Sequence, residues 1–194
     1  MYYAKWKIHR HFKKVHFIGE YEEKNLPIFV IANHVSWWDG IWIMFLNINI
    51  FKRKFHFMML EEMIEKNKIA NLVGGFSIKK GSRSIIESLN YTAELLSDKN
   101  NMVLVFPQGE ITSLYTPQLE FEKGFRNVLK KVGEEPQIFF IANLVDYFSD
   151  TKPSLYVYFK EYENKNLDSE KMQNDYNQFY SECISENLKR KDEQ

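Results

Sequence analysis

The sequence predicts an α/β domain, a single mixed and largely parallel sheet flanked by helices, and three observations carry that prediction. Seven short runs rich in β-branched and aromatic residues alternate with stretches of helical periodicity. Several of those runs are apolar on both faces, as buried parallel strands are. At 194 residues, 44% of them hydrophobic, the chain can build one sizeable core but not two. One domain over 1–194 is therefore expected.

The chain opens on a basic amphipathic segment, 1–17, in which Lys5, Lys7, Arg10, Lys13 and Lys14 precede the first acid, Glu20, and interleave with Tyr2, Tyr3, Trp6, Ile8 and Phe12. Strand-like runs follow at VHFIGEY (15–21) and PIFVIAN (27–33). The apolar stretch IWIMFLNINIF (41–51) is about half the roughly 20 residues a membrane span requires, so it reads as a core or interfacial helix, ending on Lys52, Arg53 and Lys54. FHFMML (55–60) and GGFSIKK (74–80) are the next strands, and SRSIIESLNYTAELLSD (82–98) the clearest helix, with Ile85, Ile86, Leu89, Ala93 and Leu96 on one face. After the strand MVLVFP (102–107), a second helix over EFEKGFRNVLKKVG (120–133) ends on Lys130, Lys131 and Gly133, a basic last turn and a glycine stop. QIFFIANLV (137–145) and SLYVYFK (154–160) complete the strands. A last helix, from about Leu167 to Leu188, lines up Met172, Tyr176, Phe179, Tyr180, Cys183 and Ile184, and a charged tail over 188–194 is expected to fray.

Lysine plus arginine and aspartate plus glutamate each total 26, so no global charge recommends a nucleic-acid partner. The single cysteine excludes an intramolecular disulfide and fits a reducing, cytoplasmic setting. No metal site is expected, because His9, His11, His16 and His56 have no ligand-like spacing to His34 and Asp39. No G-x-S-x-G occurs, which leaves nucleophilic hydrolysis with little support.

The chemistry concentrates in IANHVSWWDG (31–40). Five residues turn about 140° around a helix, so His34 and Asp39 cannot face each other within one. A corner solves this: His34 leaves a strand, Asp39 lies in the first turn of the next helix, and the carboxylate swings back to the ring. An aspartate on one ring nitrogen fixes the tautomer and leaves the other nitrogen free as a general base. The same spacing also supports a plain helix start, with Ser36 and Asp39 as a capping pair.

NHVSWWD resembles the first motif of the glycerolipid acyltransferases, the lysophosphatidic acid acyltransferase family, whose N-H-x-S-x-x-D supplies a catalytic His and Asp. Further blocks follow in the family's order: GGFSIKKGSRS is similar to the second, VFPQGEIT to the F-P-E-G-T-R-S third, and PQIFFIANLV to the apolar fourth. The resemblance spans about Ala32 to Val145. It implies an α/β acyltransferase in which His34 deprotonates an acceptor hydroxyl and Asp39 orients it. No bound cofactor is implied; the co-substrate would be a thioester of coenzyme A or acyl carrier protein, the acceptor a lysophospholipid at a membrane surface. Substrate contacts would come from Lys79, Lys80 and Arg83 of the second block and Phe106, Pro107, Gln108, Gly109 and Glu110 of the third.

The third block departs from the family, with Gln108 and Ile111 where glutamate and arginine are usual and Glu110 where threonine is. That opens two alternatives: a lipid acceptor without phosphate, such as an aminolipid or glycosylated lipid, or a non-catalytic lipid-binding module. Trp37, Trp38, Trp42 and Phe45 are expected to line an acyl groove or a membrane face, helped by Lys52, Arg53, Lys54 and the basic N-terminus. The protein is expected on the cytoplasmic face of the cell membrane, peripherally bound.

Overall fold

The computed structural model describes residues 2–60, 74–78, 82–133, 136–164 and 167–190. Seven strands, β1 (Val15–Ile18), β2 (Ile28–Ala32), β3 (Lys54–Leu60), β4 (Gly75–Ile78), β5 (Asn101–Val105), β6 (Gln137–Asp146) and β7 (Ser154–Glu161), form one sheet in the order β1-β7-β6-β2-β5-β3-β4. All neighbours pair in parallel except β6 and β7, which are antiparallel. The five helices among the described residues are α1 (Tyr2–His11), α2 (Asp39–Asn49), α3 (Ser82–Leu95), α4 (Phe125–Val132) and α5 (Ser169–Leu188).

Strand β2 explains why the sheet is two-faced, because all five of its residues are buried and their side chains alternate between two cores. Phe29 and Ile31 join a cluster under α3, α4 and α5 that includes Leu89, Leu129, Met172 and Tyr176. Ile28, Val30 and Ala32 join the opposite cluster, with Ile8 of α1 and Trp42, Ile43 and Leu46 of α2. The predicted alternation of strands and helices thus becomes a covered, mostly parallel sheet.

The residues set the ends of these helices. Gly133 caps α4 at φ +68, its N–H donating to Leu129 O at 3.2 Å, as the glycine stop predicts. At the other end, α4 is shorter than its sequence pattern: 120–122 are irregular, with Glu122 N donating to Pro107 O at 2.8 Å, and a turn at 123–124 leads into the helix. Asp168 caps α5 by accepting from Lys171 N at 2.9 Å. Beyond it, Arg190, inside the stretch expected to fray, reaches Tyr158 Oη at 3.2 Å and Glu186 at 2.8 Å. The N-terminal segment divides into α1 and the edge strand β1.

The topology separates two basic clusters that the sequence reading joined. Lys54 opens β3, which runs parallel to β5 and hence to β2, so 52–54 lie at the amino edge of the sheet while His34 follows the carboxyl end of β2. Arg53 pairs there with Glu23 at 2.5 Å and Lys54 with Asp98 at 3.7 Å. The turn at 52–54 therefore lies at the other end of the strands from His34, whereas α1 packs along α2.

Candidate active site

The site begins where β2 stops. Asn33, fully buried, clamps the strand exit to β6: its Nδ2 donates to Asn143 O at 3.0 Å and its Oδ1 accepts from Asn143 N at 2.8 Å. Tyr176 of α5 supports the same strand end from beneath, donating from its hydroxyl to Ile141 O at 2.7 Å. Burial pushes the Tyr176 phenol well above its ordinary pKa, so it serves as a neutral donor. The next residue, His34, is thus delivered from a fixed position.

Asp39 opens α2 and turns back, as the corner argument predicts. Its Oδ2 lies 2.9 Å from His34 Nδ1 and accepts from Val35 N at 2.6 Å and Ser36 N at 2.8 Å. One oxygen thus meets the imidazole and also accepts the Ser36 amide, although α2 begins on Trp38 without a side-chain cap, so Ser36 and Asp39 are not a capping pair for it. Ser36 Oγ accepts from Trp38 N at 3.1 Å. Asp39 is fully buried, and its Oδ1 has no hydrogen-bond partner. Desolvation accordingly raises its pKa, against the lowering effects of His34 and the two amides.

The third-block loop closes over the imidazole. Phe106 stacks on the His34 ring with centroids 4.1 Å apart and planes 12° from parallel. Gln108 is buried and faces inward, its Oε1 accepting from His34 N at 2.7 Å and its Nε2 donating to Thr112 Oγ1 at 2.5 Å. Thr112 N returns the connection to His34 O at 2.9 Å. Gln108 is thus a brace for the His34 backbone, and its inward turn corrects the expectation of a substrate contact. Pro107 is buried as well, whereas Gly109 and Glu110 are exposed.

Gly109 has φ +71, a conformation that favours glycine, and a Cβ there would stand 2.9 Å from Glu122 Cγ. Ile111, in the position that the family resemblance gives to arginine, is 47% exposed. Trp37 is 51% exposed and Trp38 partly so, with His11 and Lys7 of α1 against the Trp38 ring. Trp42 and Phe45 are corrected to core residues: at 5% and 7% exposure they are packed by Phe12, His9 and Phe17 and line no surface. Lys79 and Lys80 lie outside the described residues, and Arg83 is the second residue of α3.

Sequence reasoning missed Asn33 as a clamp, Tyr176 as a support and Thr112 and Glu122 as parts of the third-block loop. Asn143 was a readable signal, an amide interrupting the apolar run QIFFIANLV; nothing in the spacing marks Glu122. One consequence is measurable. Replacing Gln108 by alanine orphans the His34 N–H and is expected to cost about 1–3 kcal/mol in a denaturant titration. The freed histidine should also lose about tenfold in transfer rate. A Gln108→Ala protein of unchanged stability and rate would refute the bracing role.

No helix of the described residues is long and apolar enough to cross a membrane. Compared with known protein families, residues 14–142, about two-thirds of the chain, match the model of the family described as Acyltransferase. No curated protein matches the sequence.

Proposed function

Because the chain belongs to the acyltransferase family, and is an acyltransferase, we propose that it moves a fatty acyl group from a thioester of coenzyme A or acyl carrier protein to a hydroxyl of a lysophospholipid, with His34 as general base. The observation that carries this reading is the 2.9 Å contact between His34 Nδ1 and the buried Asp39 Oδ2. With Nδ1–H donated to the carboxylate, Nε2 is the basic nitrogen, and the imidazole is 22% exposed.

In the reaction, the acceptor hydroxyl gives its proton to Nε2 as its oxygen attacks the thioester carbonyl. Asp39 stabilises the imidazolium that forms. The tetrahedral intermediate collapses with the C–S bond breaking, and the imidazolium returns the proton to the departing thiolate. No acyl-enzyme is required. At Gly109 the positive φ and the close Glu122 side chain call for glycine, which keeps the third-block loop in the form that sets Phe106 on the ring.

We place the acceptor at the cytoplasmic face of a membrane, reached peripherally. Trp6 and Trp37 are 53% and 51% exposed, and Arg10 lies 5.3 Å from the Trp6 ring, so α1 offers aromatic surface and positive charge together beside the site. Lys79, Lys80 and Arg83 remain proposed phosphate contacts.

A second reading, an acceptor without phosphate, is favoured by the third block itself: Gln108 faces inward, Ile111 stands exposed, and Glu110 is the exposed charge beside Gly109. Thiol release from an acyl thioester, measured with lysophosphatidic acid, an aminolipid and a glycosylated lipid, tests both. The first reading expects release dependent on the phosphorylated acceptor; preference for the others supports the second, and release with none of them sinks both.

A further inference from the structure

Helix α4 is strongly two-sided. Phe125, Val128, Leu129 and Val132 are buried under it in the core shared with α3 and α5. At 100° per residue the opposite face gathers Lys123, from the turn before the helix, with Arg126, Lys130 and Lys131, all of them exposed. Eight residues at a 1.5 Å rise make this stripe about 12 Å long. None of the four cations forms an ion pair among the described residues. Among the described residues of this segment, the exposed acids Glu120 and Glu122 stand at its upper end, and in the sequence Glu134 and Glu135 follow Gly133.

The stripe starts at the site. Glu122, whose side chain lies against Gly109 and whose amide donates to Pro107 O, directly precedes Lys123, and its carbonyl accepts the Phe125 N–H at 2.8 Å. From there the cations run down the outside of the sheet face opposite α1 and α2.

The two basic helices differ in the way that identifies their partners. On α1, cations interleave with an exposed tryptophan, as suits a lipid surface. On α4, no large hydrophobic side chain is exposed. Such a helix gains little at a bilayer interface, where apolar burial supplies much of the binding. Its convex row of charges is also no cradle for a small phosphorylated ligand, which needs a concave site. It complements a row of carboxylates on another protein, an arrangement that speeds encounter and fixes orientation.

We infer that α4 is the docking face for an acidic acyl carrier protein, which presents its thioester to His34 across the third-block loop. The inference rests on the proposed acyl transfer and selects the carrier protein over coenzyme A as donor. Because α1 and α4 lie on opposite faces of the sheet, the membrane and the carrier can engage together.

The test compares the full chain with Lys123→Glu/Arg126→Glu, a pair near the start of α4 where acids suit the helix dipole and folding should survive. With palmitoyl-acyl carrier protein as donor, kcat/KM should fall at least tenfold and lose most of its salt dependence. With palmitoyl-coenzyme A and the same acceptor it should change less than twofold. An equal loss with both donors, or no loss with the carrier, would overturn the inference. So would impaired sedimentation with phosphatidylglycerol vesicles alongside unchanged carrier kinetics, which would turn the stripe towards the membrane. Should the unaltered protein turn over neither donor, the proposed function fails separately. Fluorescence anisotropy of labelled acyl carrier protein then decides docking, and a Kd indifferent to the double substitution would overturn it.

Discussion

His34→Ala is expected to lower acyl transfer by about a hundred- to ten-thousandfold, the range associated with a positioned general base. The fold should persist. The ring is partly exposed, its backbone is held independently by Gln108 and Thr112, and its main side-chain contacts are the Phe106 stack and the Asp39 carboxylate. Removing it leaves Oδ2 of Asp39 with two amide donors still in place. Thiol release under saturating donor and acceptor, paired with thermal unfolding, separates the two effects. A folded His34→Ala protein with full activity would remove the mechanism.

Asp39→Asn should give an equally large loss of transfer with little loss of stability. The carboxylate is fully buried, carries one oxygen without a partner, and has its pKa raised chiefly by desolvation. A folded-state pKa above the unfolded one means that ionising this group works against folding: the stability it contributes when protonated, below the unfolded pKa, is lost as pH rises through the folded value. The fold therefore does not favour the charged form, whose use lies in the chemistry proposed for His34. An asparagine Oδ1 can still accept from Val35 and Ser36, at the cost of a buried amide N–H₂ in place of the unpartnered oxygen. Stability is expected to stay within about 1 kcal/mol, because removing the buried charge offsets that orphaned donor. Transfer should fall about a hundredfold or more, since the neutral amide oxygen that takes the place of Oδ2 beside Nδ1 does not stabilise an imidazolium as a carboxylate does. Denaturant titration and steady-state rates check the pair; a variant that is unfolded yet active in its residual folded fraction would contradict the assignment of roles.

The sequence made the sheet legible because its parallel strands are buried on both faces, so runs such as IFVIA and MVLVF stand out with turns around them. The corner between β2 and α2 was also readable. Five residues cannot close an imidazole onto a carboxylate inside one helix, and that constraint, with the strand run PIFVIAN before it, pointed to His34 on the exit and Asp39 in the first turn. What the pattern could not give was direction of facing. Gln108 reads as a polar residue in a substrate loop, and only the fold shows that its amide is turned towards the His34 backbone. Trp42 and Phe45 share apolar character with Trp37, but α1 packs over the first two and leaves the third open. The edges at which separate basic clusters lie depend on strand direction, which pairing across β5 and β3 decides and local composition does not.

The central claim is that a buried carboxylate holds the His34 ring with its proton on Nδ1, leaving Nε2 as the base. Nitrogen-15 NMR of histidine-labelled protein above the titration of the ring reads this directly. The account predicts a protonated Nδ1 and a bare Nε2 for His34, and loss of that preference in Asp39→Ala, which removes the acceptor. A proton on Nε2, or a tautomer indifferent to the substitution, would contradict it.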